Sequence, residues 1–245
     1  DEKSGICGDN LNWTLDENNV LEISGTGDMY DYYLYGEDRT SPWNKYNSII
    51  LRVEIKEGVT YVGEYAFYGC DAEVISISST VNNISSNGFE NCKKLKKICV
   101  NEKNNKYASI DGVLFNNSLT QILCYPCSKD NLTYDVPETV SVIGENAFNE
   151  NKNITEVLTK SNLKEIKKSA FAYCSNLKNI TLCDNLESID AWAFQDCGLT
   201  EVHIPSSVKY LGDGSAFEDC SNIKKIYIDD LEKYLKINSI GIANY

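Results

Sequence analysis

The chain is poor in the groups on which most enzymes and nucleic-acid binders rely. Its 245 residues include one histidine (His203), one methionine, four prolines and only two arginines, Arg39 and Arg52. A lone histidine leaves no His pair for a metal and a single imidazole for general acid–base work. Acids outnumber bases 36 to 23, a formal net charge of −13 with no acidic block of the kind that marks a disordered tail,. That balance excludes the positive footprint of a nucleic-acid or anionic-membrane binder. No apolar run approaches the roughly 18 to 20 residues a membrane-spanning helix needs. Neither an initiator Met nor a signal-peptide pattern stands at Asp1, so a processed or shortened start is expected,.

What the chain does have is one phrase written six times. It reads Ala66-Phe67-x-x-Cys70, Gly88-Phe89-x-x-Cys92, Ala147-Phe148-x-x-Asn151, Ala170-Phe171-x-x-Cys174, Ala193-Phe194-x-x-Cys197 and Ala216-Phe217-x-x-Cys220. The first two phenylalanines are 22 residues apart and the last four follow at steps of 23. A fixed period of that length marks a solenoid, in which each unit buries its apolar face only against the next. Function is then sought on the surface of a stack.

Each phrase sits beside an apolar triad that reads as a short strand. The triads begin at Val53, Ile75, Ile98, Ile122, Val157, Ile180, Val202 and Ile226, which gives about eight rungs with one long 35-residue connection after Ile122. Strand alternation turns the outer two residues of each triad inward and the middle one outward. A leucine or its substitute precedes most triads by three residues (Leu95, Leu119, Ile154, Leu177, Leu199, Ile223), the L-x-x-I-x-I core of a leucine-rich repeat,. A second apolar pair follows each rung, as in Val59/Val62, Leu163/Ile166 and Leu186/Ile189, and is expected on the opposite face.

At the N-terminus Leu11, Trp13 and Leu15 alternate, as do Leu21 and Ile23 after the Asp16–Asn19 turn. This predicts a hairpin that covers the otherwise exposed edge of the first rung. Ser41-Pro42-Trp43 has the signature of a short helix start. Asp230-Leu231 to Leu235 begins an amphipathic helix with no evident cap before Tyr245, so the natural protein is expected to continue. The expected division is an N-terminal β cap over 1–48, a solenoid over 49–228 and a helix start over 229–245.

The unit Ile204–Ile228, IPSSVKYLGDGSAFEDCSNIKKIYI, resembles the repeat of BspA-type leucine-rich repeat proteins. Tyr107 to Phe115 with its Asp111-Gly112 turn is similar to that family's variant repeat, and Cys7 to Trp13 with Ile23 to Gly27 resembles the β cap of its bacterial members. The resemblance covers almost the whole chain. It implies an α/β repeat solenoid, a leucine-rich repeat right-handed superhelix with a parallel β-sheet face. It also implies a cell-surface or secreted protein that mediates adhesion to host matrix proteins or other cells.

Ten cysteines suggest a disulfide framework, yet Cys70, Cys92, Cys174, Cys197 and Cys220 fill one repeat position, which reads as a ladder of small buried thiols,. Cys124-Tyr-Pro-Cys127 has redox-pair spacing; redox chemistry, a zinc site and a local disulfide stand beside the default of core filling. Six N-glycosylation sequons begin at Asn12, Asn83, Asn116, Asn131, Asn153 and Asn179,.

No acid pair, nucleophile–base pair or metal cluster can be assembled, so no catalytic residue, metal or cofactor is expected, and the chain is read as a non-enzyme. The candidate partner-binding residues are the outward ones: Glu54, Ser76, Leu123, Leu158, Thr181, His203 and Tyr227. Rigid apolar centres with charged rims are what protein interfaces use; a plain solvated sheet is the alternative. Tyr30, Tyr32, Tyr33, Tyr35 and Trp43 form a possible glycan-binding cluster, since aromatics stack on sugar rings; they serve equally as a plug for the end of the stack, which we prefer. The expectation is an extracellular or cell-surface module, monomeric, that binds a protein partner. A carbohydrate-binding module and a structural spacer are the alternatives. Nucleic acid and membrane insertion are not expected.

Overall fold

The protein is described by a computed structural model over residues 3–36 and 40–237. The chain forms two compact units, Asp1–Ser118 with Pro126–Ser128, and Leu119–Tyr125 with Lys129–Tyr245.

The first unit opens with an antiparallel meander, β1 (Ser4–Gly8), β2 (Leu11–Leu15) and β3 (Val20–Gly25). Alternation buries Leu11, Trp13 and Leu15 together,. Asp16 fixes the β2–β3 turn: its carboxylate accepts from the N–H groups of Asn18 and Val20 at 2.9 and 2.8 Å. A short β4 (Gly27–Asp28) follows, then a 3-10 turn at Asn44–Tyr46 beside the expected Ser-Pro-Trp start. β3 pairs in parallel with β5 (Arg52–Ile55), so the hairpin does cover the first rung. Beyond β6 (Val59–Val62), the front sheet continues through β7 (Val74–Ile77). After β8 (Asn83–Ile84) it reaches β9 (Lys97–Val100), with Val53, Ile75 and Ile98 in register and fully buried. β4, β6 and β8 form a second ladder from the other apolar pairs. The unit also holds the hairpin β10 (Tyr107–Ile110) and β11 (Val113–Asn116). Its two-residue turn, Asp111-Gly112, has both φ angles positive (48° and 77°), the type I′ geometry that suits the strand twist,.

The second unit carries β12 (Gln121–Cys124), β13 (Thr133–Asp135), β14 (Val142–Ile143), β15 (Glu156–Leu158) and β16 (Glu165–Ile166). These are followed by β17 (Asn179–Thr181), β18 (Ser188–Ile189), β19 (Glu201–Ile204), β20 (Tyr210–Leu211) and β21 (Lys225–Ile228). Its front strands are β13, β15 and β17, then β19 paired with β21; β12, β14, β16, β18 and β20 run parallel as the back sheet. Among the described residues the front strands number eight, three in the first unit (β5, β7, β9) and five in the second.

Between a back strand and the next front strand lies the arc that carries the repeated phrase. In three of the arcs two non-glycine residues take left-handed φ: Asn146, Ser169 and Trp192 before alanine, and Glu150, Tyr173 and Asp196 before Asn151, Cys174 and Cys197. Each such residue costs about 1 kcal/mol or more, offset by ladder bonds that its N–H makes to the next arc, such as Ser169 to Ala191 O at 3.1 Å and Tyr173 to Gln195 O at 2.7 Å. The phenylalanines stack at the pitch of the coils: Phe148–Phe171 4.6 Å, Phe171–Phe194 5.2 Å and Phe194–Phe217 5.1 Å between ring centroids. The cysteines form the expected buried ladder, and four of the five gain a carbonyl partner. Cys92 Sγ–H donates to Phe67 O, Cys174 to Phe148 O, Cys197 to Phe171 O and Cys220 to Phe194 O, at 2.9 to 3.1 Å.

One rung differs from the sequence reading. Ile122-Leu123-Cys124 is not a front strand: β12 pairs with β14, Ile122 opposite Ile143, in the back sheet. The front strand of that coil is β13, with Tyr134 opposite Val157. The step from Tyr134 to Val157 is 157 − 134 = 23 residues, so the apparent 35-residue connection contains a regular coil. Thr-Tyr-Asp carries one large residue between two polar ones, and an apolar triad does not detect it.

The connecting segments are turns and extended arcs. The only α-helix among the described residues is α1 (Leu231–Lys236), N-capped by Asp230, whose carboxylate accepts from Lys233 N–H at 2.9 Å. The remainder of the expected helical segment, 238–245, lies outside the described residues, as does Arg39.

Candidate functional site

The residues expected on the outward row fall in both units. In the first, register sets Glu22 beside Glu54, Glu54 beside Ser76 and Ser76 beside Cys99. Arg52 ties this row together, bonding the Glu54 carboxylate through Nε and donating to Ser76 Oγ at 3.1 Å. The result is a polar surface whose charges already have partners.

The second unit presents a different surface. Register aligns Asp135, Leu158 and Thr181 on β13, β15 and β17, and His203 with Tyr227 on β19 and β21. Leu158 and Tyr227 are 36% and 48% exposed, large for apolar groups held on ordered strands. His203 Nε2 lies 2.5 Å from Asp229 Oδ1, and the imidazole meets the Tyr227 ring edge-on at 6.3 Å. These two contacts fix the ring on both sides. Lys160 pairs with Asp135 at 2.6 Å at the border of the row. Glu156, Asn179, Glu201 and Lys225 line the parallel column one pleat away. Such a face offers an apolar and aromatic centre with donors and acceptors of both signs around it.

The sheet is interrupted within this face. Five residues separate Cys197 from Val202 (202 − 197) where six separate Cys174 from Ile180 (180 − 174). Gly198 takes the shorter path with its N–H on Cys174 O, and β17 and β19 lie in separate ladders. A Cβ at Gly198 would stand 2.1 Å from Ser175 O, so a side chain at this position would have to displace that backbone oxygen.

Leu123 does not join the row, because β12 belongs to the back sheet. The expected glycan cluster is also corrected at two positions. Trp43 is fully buried, stacked on Phe67 at 5.4 Å with its Nε1–H donated to Ala66 O at 2.9 Å. Tyr32 is buried edge-on against Trp43 at 5.7 Å. Neither has a face to offer a sugar, whereas Tyr30, Tyr33 and Tyr35 are exposed. Sequence reasoning missed Glu22, Asp135 and Asp229. Only Asp135 had a usable signal, the 23-residue step from β13 to β15.

The thiols bear on chemistry. Burial pushes Cys70 and Cys220 up to about 11, and it lifts Cys197 well above the ordinary thiol value. A thiol that stays protonated at neutral pH is a poor nucleophile, so these cysteines act as packing units. Among the described residues no group of three or more His, Cys, Asp or Glu side chains is placed to hold a metal ion, and no helix is long and apolar enough to cross a membrane.

The model of the BspA type leucine rich repeat region matches six copies, over residues 45–150 and 124–224. No curated protein sequence matches the chain. Among solved structures, the pneumococcal vaccine antigen PcpA is 18% identical with a TM-score of 0.55, covering 93% of this chain and 82% of its own. A leucine rich cell surface protein from Faecalibacterium prausnitzii A2-165 is 17% identical with a TM-score of 0.54, covering 98% of each chain. At such identities the likeness shows the fold alone.

Proposed function

The chain belongs to the BspA-type leucine-rich repeat family, and from that premise we propose that it is a cell-surface or secreted interaction module, not an enzyme, which adheres to a protein partner of the host matrix or of another cell. The binding surface is the outward face of the front strands in the second unit. The observation that carries this reading is Leu158, His203 and Tyr227 held outward on hydrogen-bonded strands, with the imidazole clamped between Asp229 and the Tyr227 ring. Preorganised amphipathic groups lose little conformational entropy on binding, and a charged rim around an apolar centre is the usual anatomy of a protein interface. Two structural neighbours support the location: one is a leucine rich cell surface protein and another a vaccine antigen.

The test is a variant with Leu158→Glu, His203→Glu and Tyr227→Ala, assayed against immobilised matrix proteins by surface plasmon resonance. All three side chains are exposed, so the fold should lose no more than about 1 kcal/mol. Loss of binding with an unchanged melting curve supports the reading. Equal binding by native and variant chains overturns it.

A further inference from the structure

One coil of the second unit breaks the plan of its neighbours. Four residues separate Ile143 from Ala147 (147 − 143), Ile166 from Ala170 (170 − 166) and Ile189 from Ala193 (193 − 189), but five separate Leu211 from Ala216 (216 − 211). The extra residue is taken up at Gly212-Asp213-Gly214, where all three φ angles are positive (54°, 48° and 91°). A Cβ at Gly212 would stand 2.9 Å from backbone atoms of Asp190 and Ala191, so the inserted turn lies against the preceding coil. Stacking of the coils requires neither the extra residue nor a run of left-handed positions, and such departures collect at functional sites.

Trp192 stands in that preceding coil, two residues after Asp190. Its φ of 56° is an outlier for a bulky side chain, whereas the same position in the coils before it holds Asn146 and Ser169,. Tyr65, at this position in the first unit, is less exposed and meets Tyr68 edge-on at 6.0 Å. Trp192 is 37% exposed, yet its indole is fixed. Nε1–H donates to Glu218 Oε2 at 2.5 Å, and Lys168 Nζ sits over the ring, 5.1 Å from its centroid. Tyr210 on β20 is also exposed, and its phenol is held above the ordinary value by partial burial and by the Asp213 and Asp190 carboxylates beside it. Two exposed rings and three carboxylates thus surround the inserted turn.

These groups suit a sugar ring. The C–H face of a pyranose packs on a rigid indole, and its hydroxyls donate to carboxylates that still have lone pairs free. A cationic ligand would have to share the indole with the Lys168 ammonium, and an anionic one would meet the three carboxylates. We propose that Trp192, with Asp190, Asp213 and Glu218 around it, is a binding site for a neutral pyranose sugar, which stacks on the indole and donates its hydroxyls to the carboxylates. The site shares no residue with the partner-binding face or with Tyr30, Tyr33 and Tyr35, and it is independent of the partner-binding reading. One open platform engages one ring, so a dissociation constant on the order of 1 mM is expected.

The native chain carries its own probe. Trp13 and Trp43 are 3% and 0% exposed, so the emission that acrylamide quenches belongs to Trp192. The ligands tested are lactose, cellobiose, maltose and N,N′-diacetylchitobiose, each from about 0.1 to 50 mM, a range that brackets the expected constant. At least one should shift the emission to the blue and reduce acrylamide quenching, both saturably, and should give saturation-transfer NMR signals from its ring C–H groups. Trp192→Asn suits the left-handed φ, so the melting temperature should hold or rise while those NMR signals are lost. Choline serves as the cationic control. No response to any of the four sugars, sugar signals that survive Trp192→Asn, or a response to choline alone each overturn the proposal.

Discussion

The Tyr125 ring lies stacked on Phe148, centroids 4.6 Å apart and planes 18° from parallel. The backbone agrees with the rings: Tyr125 N–H donates to Ala147 O at 2.6 Å, as Phe148 donates to Ala170 O and Phe171 to Ala193 O, both at 2.7 Å. Cys124-Tyr125 is thus one more Ala-Phe step, 23 residues before Ala147-Phe148. Cys124 stands where other coils carry alanine, which answers why a cysteine appears there without redox partners being required. Trp43 stacked on Phe67 extends the rings of the first unit in the same way.

The ring column should dominate stability. Phe194 is fully buried between Phe171 and Phe217. Phe194→Ala should cost about 3–5 kcal/mol through lost transfer energy and an unfilled cavity, read from guanidinium unfolding. Phe194→Leu, which keeps most of the volume and loses the stack, should cost about 1–2 kcal/mol. Equal losses for both variants would show that stacking contributes nothing beyond volume.

Gly198 should not tolerate a side chain. Its would-be Cβ meets the Ser175 carbonyl oxygen at 2.1 Å, a backbone atom that cannot turn aside. Gly198→Ala should destabilise by about 1–3 kcal/mol, and hydrogen exchange should rise first in β17 and β19. A neutral substitution at this position would mean that the short path has slack.

The thiol ladder predicts alkaline sensitivity. Cys70 and Cys220 are pushed from 9.0 to about 11 by burial. Between those values the unfolded chain releases protons that the folded chain keeps, so folding stability falls as pH rises. It should be level with respect to these groups below pH 9 and decline from pH 9 towards 11. Urea midpoints across that range measure it, and replacement of both residues by alanine should flatten the decline. Native alkylation at pH 8 should spare Cys174, Cys197 and Cys220 and label the half-buried Cys99 and Cys183 first,.

Most of the fold was legible because periodicity reports packing directly. A residue that recurs every 23 positions and is large and apolar must face its own copies, which located Phe148, Phe171, Phe194 and the cysteine ladder. The cap was legible for the same reason, through alternation at Leu11, Trp13 and Leu15. β13 was not, since Thr133 and Asp135 face outward and only Tyr134 carries the pattern. The candidate site was legible in part. Leu158, Thr181, His203 and Tyr227 follow from the pleat, whereas Leu123 was misplaced along with its strand. Trp43 and Tyr32 illustrate the limit of composition, because a cluster of aromatics looks alike whether it lines a surface or fills a core.

The sequence by itself determined the repeat, the front and back apolar positions and the family, all of which depend on local periodicity and side-chain type. Only the tertiary structure decided which strand pairs with which, because Ile122-Leu123-Cys124 reads as a rung and Thr133-Tyr134-Asp135 does not, yet hydrogen-bond register puts the second in the front ladder and the first in the back sheet. It likewise decided that His203 meets Asp229, a pair 26 residues apart brought together by the stacking of one coil on the next.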